Sequence, residues 1–258
     1  MLLNRSVRET WLHRVNPSFK LLLLLMLFLV VLFTDRINFL LNLTAVSLLL
    51  YVLATGHPPR TLLLLLLPVL LLLISSSTSM MFFGKGETTW VKWGLVHITR
   101  ESFFRGLHVG LKSVNFALLG LLLLLTTQPV RLFYSLMQQC RLPAKYAYSF
   151  MAAIRLLPMM LEEFQIRRDA LKVRGFQSGR GPKGMFRRLR AYAIPLLAQS
   201  IRRAQRIAVA MEAKRFTSGG SRTYYYVIGF SAADAGFLLF WAAGTAAAYW
   251  LGIRHPYI

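Results

Sequence analysis

Few side chains in this sequence are spaced for chemistry. The five histidines, His13, His57, His97, His108 and His255, share no metal-ligand spacing and fall in different connections or span ends. Glu162 and Glu163 are adjacent, so on a helix they project about 100 degrees apart and cannot face each other as an acid and base pair. Local ion pairs of one or the other with Arg167 are the expectation. The phrase GRGPKG lacks both the spacing and the hydroxyl residue of the phosphate-binding loop G-x-x-x-x-G-K-S/T, which removes ATP hydrolysis by that route. Neither GxSxG nor HExxH occurs. The single cysteine, Cys140, excludes an intramolecular disulfide and reads as a packing residue. What remains is cationic: Arg174 in LKVRGF, and Lys214 with Arg215 in AMEAKRF, each closing a long helical pattern.

Those patterns sit in an unusual composition. Of 258 residues, 56% are hydrophobic, yet 31 Lys and Arg stand against 9 Asp and Glu. A soluble domain uses such a mixture poorly, whereas a membrane protein separates it into apolar spans and basic connections. Nineteen of the cations, with only four acids, lie between Arg131 and Arg222. Nucleic acid could attract such a stretch, but membrane-length segments bracket it, and a cytoplasmic face obeying the positive-inside rule explains it better. The first twenty residues hold four cations and no apolar core, so no cleavable signal peptide is expected.

A hydrocarbon core of roughly 30 Å takes about 20 helical residues. Five segments qualify: LLLLLMLFLVVLF after Lys20; Ile37 to about Thr55; TLLLLLLPVLLLLISSSTSMMFF, with Pro68 inside; GLHVGLKSVNFALLGLLLLLTT; and AGFLLFWAAGTAAAYWLG, whose small residues allow close helix approach. The fold class is therefore all-α integral membrane, with about five spans and long amphipathic cytoplasmic helices between the fourth and fifth. Three regions follow: 1–127 with four spans, 128–223 as the cytoplasmic helical region, and 224–258 as the last span and tail. Cation counts place the amino terminus and the basic stretch inside and the carboxyl terminus outside. GKGETTWVKWGLVHITRESFFRG is then external, with Trp90 and Trp93 as interfacial anchors. Lys112, within the fourth span, is either an intramembrane functional cation or one that snorkels to the nearby end.

Between Pro143 and Phe216, two helical signals flank GFQSGRGPKG, whose glycines and Pro182 forbid one continuous helix. In the first, Phe150, Ile154, Leu157, Leu161, Phe164 and Leu171 share a face, and Pro158 should kink the helix. In the second, led by Pro195, the seam is Ile194, Leu197, Ile201, Ala204, Ala208 and Met211, with Arg202, Arg203 and Arg206 beside it. Arg174 follows Leu171 by three and Lys214 follows Met211 by three. The two cations thus hold corresponding positions at two helix ends. A cation there complements the helix dipole by about 0.3–1 kcal/mol. Two such ends in one basic stretch also suit a paired docking device, for which arginine offers a planar fork.

The residues of these ends carry a family resemblance. PLLAQSIRRAQRIAVAMEAKRF resembles the second coupling segment of the transmembrane T component of energy-coupling factor transporters, and FMAAIRLLPMMLEEFQIRRDALKVRGF resembles the first. HRVNPSFK, LTTQPVRLFYSLMQQCRLP and RTYYYVIGFSAAD are similar to other stretches of that family. The resemblance implies a non-catalytic scaffold that couples two ATP-binding-cassette ATPases to a membrane-embedded, substrate-binding S component. ATP and magnesium would sit on the partner ATPases, with no cofactor or metal in this chain. By the same resemblance Val173, Arg174 and Gly175 form the first ATPase-coupling motif and Ala213, Lys214 and Arg215 the second. Pro158, Pro195, Glu162 and Glu212 would support the coupling helices. The chain departs from the family pattern at Val173, at Asn16 and Phe19, and at the second motif, where Lys214 stands for Arg and Arg215 for a small residue. STSMMFFGKGETTW and LFYSLMQQCRLPAKYAYSFMAAIRLLP are similar to the branch serving thiamine or its hydroxymethylpyrimidine precursor. The alternative is a stand-alone channel or carrier, which should show paired intramembrane polar residues or internal repeats with broken helices.

Overall fold

The computed structural model describes residues 8–83, 89–93, 96–176, 179, 181–217 and 223–254. In order these form α1 (Trp11–Arg14), α2 (Pro17–Phe33), α3 (Ile37–Ala54), α4 (Pro59–Phe83), β1 (Thr89–Trp93), β2 (Val96–Thr99), α5 (Arg100–Thr126), α6 (Pro129–Gln139), α7 (Ala144–Val173), α8 (Pro182–Ala213) and α9 (Ala232–Arg254). The chain divides into two compact units, one of residues 1–135 with 228–258 and one of 136–227.

The first unit is a helical bundle. Four of its helices, α3, α4, α5 and α9, are long and apolar enough to cross a membrane, and α2 is apolar but shorter, at 17 residues. α5 lies at the centre, packed on α2, α3 and α4, while α9 packs on α3. Its buried leucines, such as Leu111, Leu118 and Leu122, meet Leu40 and Leu43 of α3 and Val31 of α2 in one core. The opposite faces are equally greasy. Leu63, Leu64 and Leu67 on α4 and Leu22, Leu25 and Met26 on α2 are more than half exposed. Apolar residues on both faces of a helix call for lipid as solvent, so this is a multi-pass membrane protein.

α4 and α5 pack closely along their length, and glycines make it possible. Gly106 and Gly110 stand one turn apart on α5. A Cβ at Gly106 would come within 2.7 Å of the Met81 side chain and 2.8 Å of the Ser77 carbonyl oxygen; one at Gly110 would come within 2.7 Å of Ser77 Oγ. Ser77 Oγ donates to the Gly106 carbonyl at 2.8 Å. This is a small-xxx-small crossing that lets two backbones touch. Gly244 on α9 likewise faces Val46 on α3, at 2.9 Å from where its Cβ would be.

Helices dominate, but the connection between α4 and α5 contains a strand pair. β1 and β2 run antiparallel, with Lys92 opposite His97 and Trp93 opposite Val96. The side chains of Trp90 and Trp93, assigned to an interface from sequence, lie outside the described residues. Cys140, expected to be packed, is exposed. Lys112 reaches the end of α2, where its Nζ donates to the Leu32 carbonyl at 2.9 Å and to Asp35 at 3.3 Å. That geometry fits the snorkelling alternative.

Candidate coupling site

The second unit is built on α7 and α8, which form an antiparallel hairpin. Tyr148, near the start of α7, meets Phe216, just past the end of α8, edge to face at 5.5 Å. Further along, Ser200 donates to the Met160 sulfur at 3.6 Å, and Phe164 lies 5.2 Å from Tyr192. The residue number falls on one helix as it rises on the other. Gly175, Gly179 and Gly181 in the connection have φ of +67, +67 and +97, and Pro182 opens α8 at the position where a missing amide hydrogen costs nothing.

The hairpin's polar lock is Glu163. It accepts from Gln199 at 3.4 Å and forms an ion pair with Arg203. Both charged side chains are about four-fifths buried. The sequence expectation of a local pair with Arg167 is therefore corrected, because a residue on the facing helix comes closer than one a turn along. Glu162, expected to support the helix, is exposed beside it. Pro158 and Pro195 both lie inside their helices, so α8 begins thirteen residues before the proline that leads it in sequence. Each proline leaves the carbonyl four residues earlier, on Ile154 and Ala191, without its usual amide partner.

The two helix ends have the same backbone. At the end of α7, the amide of Phe176 donates to the Leu171 carbonyl at 3.0 Å and that of Gly175 to the Lys172 carbonyl at 3.0 Å. At the end of α8, the amide of Phe216 donates to the Met211 carbonyl at 2.9 Å and that of Arg215 to the Glu212 carbonyl at 2.8 Å. Both are Schellman motifs, and residue for residue they superimpose LKVRGF on MEAKRF. Arg174 and Lys214 are the cap residues, with near-helical φ and ψ of −76 and 6 and of −85 and 12. Gly175 and Arg215 follow in the left-handed region, at φ +67 and +54. Val173, Arg174, Gly175, Glu212, Ala213, Lys214 and Arg215 are all exposed. Because the hairpin is antiparallel, the two ends are separated by on the order of 40 Å of helix.

Much of the apolar stripes seen in the sequence is not the seam of this hairpin. Phe150, Leu157 and Leu161 on α7 and Ile194, Leu197 and Ile201 on α8 are more than half exposed. The contacts across the hairpin run instead through Met160 and Glu163 on α7 and Gln199, Ser200 and Arg203 on α8, with the stripe residue Phe164 joining at Tyr192. The periodicity was real, but it marks surface left open within this unit.

A polar knot in the first unit secures the foot of the spans. Asn16 caps α2 by accepting from the Ser18 amide at 3.1 Å, and Pro17 holds the first helical position. Its own amide donates to Asp234 Oδ1 at 2.6 Å, and its side-chain oxygen accepts from Ser135 Oγ at 2.7 Å. Asp234 Oδ2 accepts from the Ser231 amide at 2.6 Å. One turn into α2, Lys20 is 1% exposed and donates to the Leu12 carbonyl at 2.6 Å and to the carbonyl and hydroxyl of Thr126 at 3.2 Å each. A buried ammonium is tolerable only with its donors occupied, and here carbonyls at two helix ends occupy them. HRVNPSFK and SAAD thus act together, two stretches that the resemblance had named without pairing them.

The profile of the cobalt transport protein family CbiQ matches residues 8–225. The chain belongs to the CbiQ family. The match includes both capped ends, and it extends from Arg8, ahead of the HRVNPSFK phrase, to Tyr225 within RTYYY. This CbiQ-family chain is also similar to curated relatives named energy-coupling factor transporter transmembrane protein EcfT. With that of Listeria innocua it is 28% identical over 262 residues, covering 97% of this chain and 98% of the relative. With that of Brevibacillus brevis it is 28% identical over 230 residues, covering 83% and 84%. With that of Acidaminococcus fermentans it is 33% identical over 159 residues, covering 58% and 59%.

Proposed function

We propose that this chain is the transmembrane T component of an energy-coupling factor importer, a non-catalytic subunit that passes the ATP-driven motion of two ATP-binding-cassette ATPases to a substrate-binding S component. The observation that carries the reading is the pair of helix ends: one backbone motif, built twice, each presenting an exposed cation, at opposite ends of one hairpin. Two ATPase grooves lying side by side call for two such ends held apart by a stiff spacer. The exposed apolar residues of α7 and α8 supply a surface for the S component, and the leucine faces of α2 and α4 supply one for membrane lipid. Nothing in the reading requires nucleic acid.

In this arrangement α2 is also a span, the first in chain order, and brings the number to five, since about 26 Å of apolar helix approaches the bilayer core and local thinning can accommodate the remainder. The amino terminus and the hairpin are cytoplasmic and the carboxyl terminus is external. ATP and magnesium belong to the partner ATPases. The transported molecule, held by the S component, is thiamine or its hydroxymethylpyrimidine precursor, a choice supported by the sequence phrases alone.

The test is purification of the tagged chain from its native membrane in mild detergent, with the copurifying proteins identified by mass. Two ATP-binding-cassette subunits and one small membrane protein are expected. Recovery of the chain without any such ATPase would refute the proposal.

A further inference from the structure

α2 and α9 run in the same direction. They are joined where they begin, through Asn16 and Asp234, and part toward their other ends, where a cleft of about 740 Å³ opens between them with Phe39 of α3 at its back. We propose that this cleft is a binding site for one anionic phospholipid, with an acyl chain lying between the two helices and the phosphate held by Arg36.

Small side chains make the cleft. Ala242, Thr245 and Ala246 line it on α9, opposite Met26, Val30 and Phe33 of α2. On another face of the same helix Gly244 brings α9 against Val46 of α3, but between α9 and α2 the space stays open. Leu27, Phe39 and Trp241 at the back are buried, whereas Met26, Phe33 and Tyr249 at the rim are exposed. The two hydroxyls in the wall are already used: Thr34 Oγ1 donates to the Val30 carbonyl at 2.6 Å and Thr245 Oγ1 to the Trp241 carbonyl at 2.8 Å. An apolar occupant is therefore called for. The lining on α2 runs from Leu23 to Phe33, about 15 Å of helix, which is half of a roughly 30 Å hydrocarbon core. One leaflet's acyl chain matches that depth, while a helix of another membrane protein would extend through both leaflets.

The open end of the cleft is polar. It continues into a second space of about 450 Å³ between the start of α3 and the end of α9, and Arg36 and Tyr249 border both spaces. The Arg36 guanidinium carbon lies 5.4 Å from the centre of the Tyr249 ring, which holds it over the junction. Arg36 forms no ion pair among the described residues. The neighbouring acid, Asp35, is matched instead by Lys112 at 3.3 Å and His108 at 3.9 Å, so it does not neutralise the guanidinium. A planar guanidinium with free donors suits phosphate oxygens. Tyr249 and Trp250 stand at the same end of α9, with Arg254 4.8 Å over the Trp250 ring, and such aromatic and basic residues mark the headgroup level. An apolar slot one leaflet deep that ends at an unpaired cation has the polarity of an anionic phospholipid. Bound there, the lipid closes α2 on α9 at the end that no side chain joins.

The test is native mass spectrometry of the full-length chain, purified in mild detergent and titrated with dioleoyl phosphatidylglycerol. One saturable lipid per chain is expected. Dioleoylglycerol, which has the chains without the phosphate, and zwitterionic dioleoyl phosphatidylcholine should each bind about fivefold more weakly, and glycerol 3-phosphate should not be retained. Ala246→Phe, which fills the cleft, should weaken phosphatidylglycerol binding about tenfold, and Arg36→Gln about fivefold, whereas Leu64→Phe on the exposed face of α4 should leave it unchanged. Arg36→Gln alters only an exposed side chain and decides the matter should Ala246→Phe lose the parent's size-exclusion peak. Binding by Arg36→Gln equal to the parent's would show ordinary boundary lipid and overturn the proposal. Retention of glycerol 3-phosphate as strong as that of the lipid would overturn it in favour of a free phosphate site. So would the loss of a copurifying protein, rather than of a lipid, from Ala246→Phe purified out of its native membrane.

Discussion

Glu163 on α7 and Arg203 on α8 form the ion pair that locks the middle of the α7–α8 hairpin, and both are largely shielded from water. Arg203 also has an Nη1 with no hydrogen-bond partner, so the carboxylate is its principal compensation. Glu163→Gln should destabilise the hairpin by about 1.5–3 kcal/mol, the range for a hydrogen bond to a charged group. Arg202→Gln, which removes an exposed hydrogen bond to Gln199 a turn away, should be close to neutral. Thermal unfolding of the two variants in the same detergent separates these outcomes, and equal shifts would show that the pair is not the lock.

The left-handed position of Arg215 gives a second expectation, again on stability. A non-glycine residue there is disfavoured by about 1 kcal/mol, so Arg215→Gly should raise the unfolding midpoint and Gly175→Ala should lower it. Nothing lies within 4 Å of a Cβ built at Gly175, which makes the second effect purely conformational. The two shifts should be opposite in sign and of similar size when followed by circular dichroism at 222 nm.

Much of this arrangement was legible in the sequence, for identifiable reasons. Runs of leucine show as membrane helices because nothing else tolerates them, and the glycines with Pro182 mark the break between α7 and α8, although the second helix read as starting at Pro195 begins at Pro182. The correspondence of Arg174 with Lys214 followed from counting along a helical period. The polar knot was not legible, because Asn16 and Asp234 are 218 residues apart and Lys20 and Thr126 are 106 apart. Periodicity carries no information about such pairs. Glu163 was given the wrong partner for the same reason: sequence favours the neighbour along the helix, and folding brought one across it. The exposed faces of α7 and α8 show the converse limit, since an apolar stripe reveals that something is to be covered without saying by which element. The spacing of Gly106 and Gly110 was visible all along, as a small-xxx-small pattern within an apolar segment, and would have identified the α4 contact.

That contact should be intolerant of bulk. Gly106→Val places branched carbons where Met81 and the Ser77 backbone already stand, and the backbone cannot retreat as a flexible side chain could. Overpacking of this kind costs about 1–3 kcal/mol where neighbours can adjust, and more against a helix backbone. The expected result is loss of the monodisperse peak in detergent size exclusion. Gly120→Val, on the same helix with nothing within 4 Å of its Cβ position, should retain the peak.

His13 adds a dependence on pH. Its ring accepts from the Thr10 amide at 3.2 Å, and burial holds its pKa below the usual 6.5, assisted by Lys20 and His57 and opposed by Glu9 and the Leu125 carbonyl. The folded chain therefore binds this proton less readily than the unfolded chain. Above 6.5 both states are neutral at this site and it contributes no pH dependence. As the pH falls below 6.5 the unfolded state takes up the proton first, and stability declines until the lowered native pKa is passed. The decline is limited to about 1.4 kcal/mol per pH unit for a single group. His13→Gln should flatten the part of the curve that His13 produces. Unfolding midpoints measured at a series of pH values from neutral downward, for parent and variant in one detergent, give the difference directly. A parent curve that falls no faster than the variant's would remove His13 as its source.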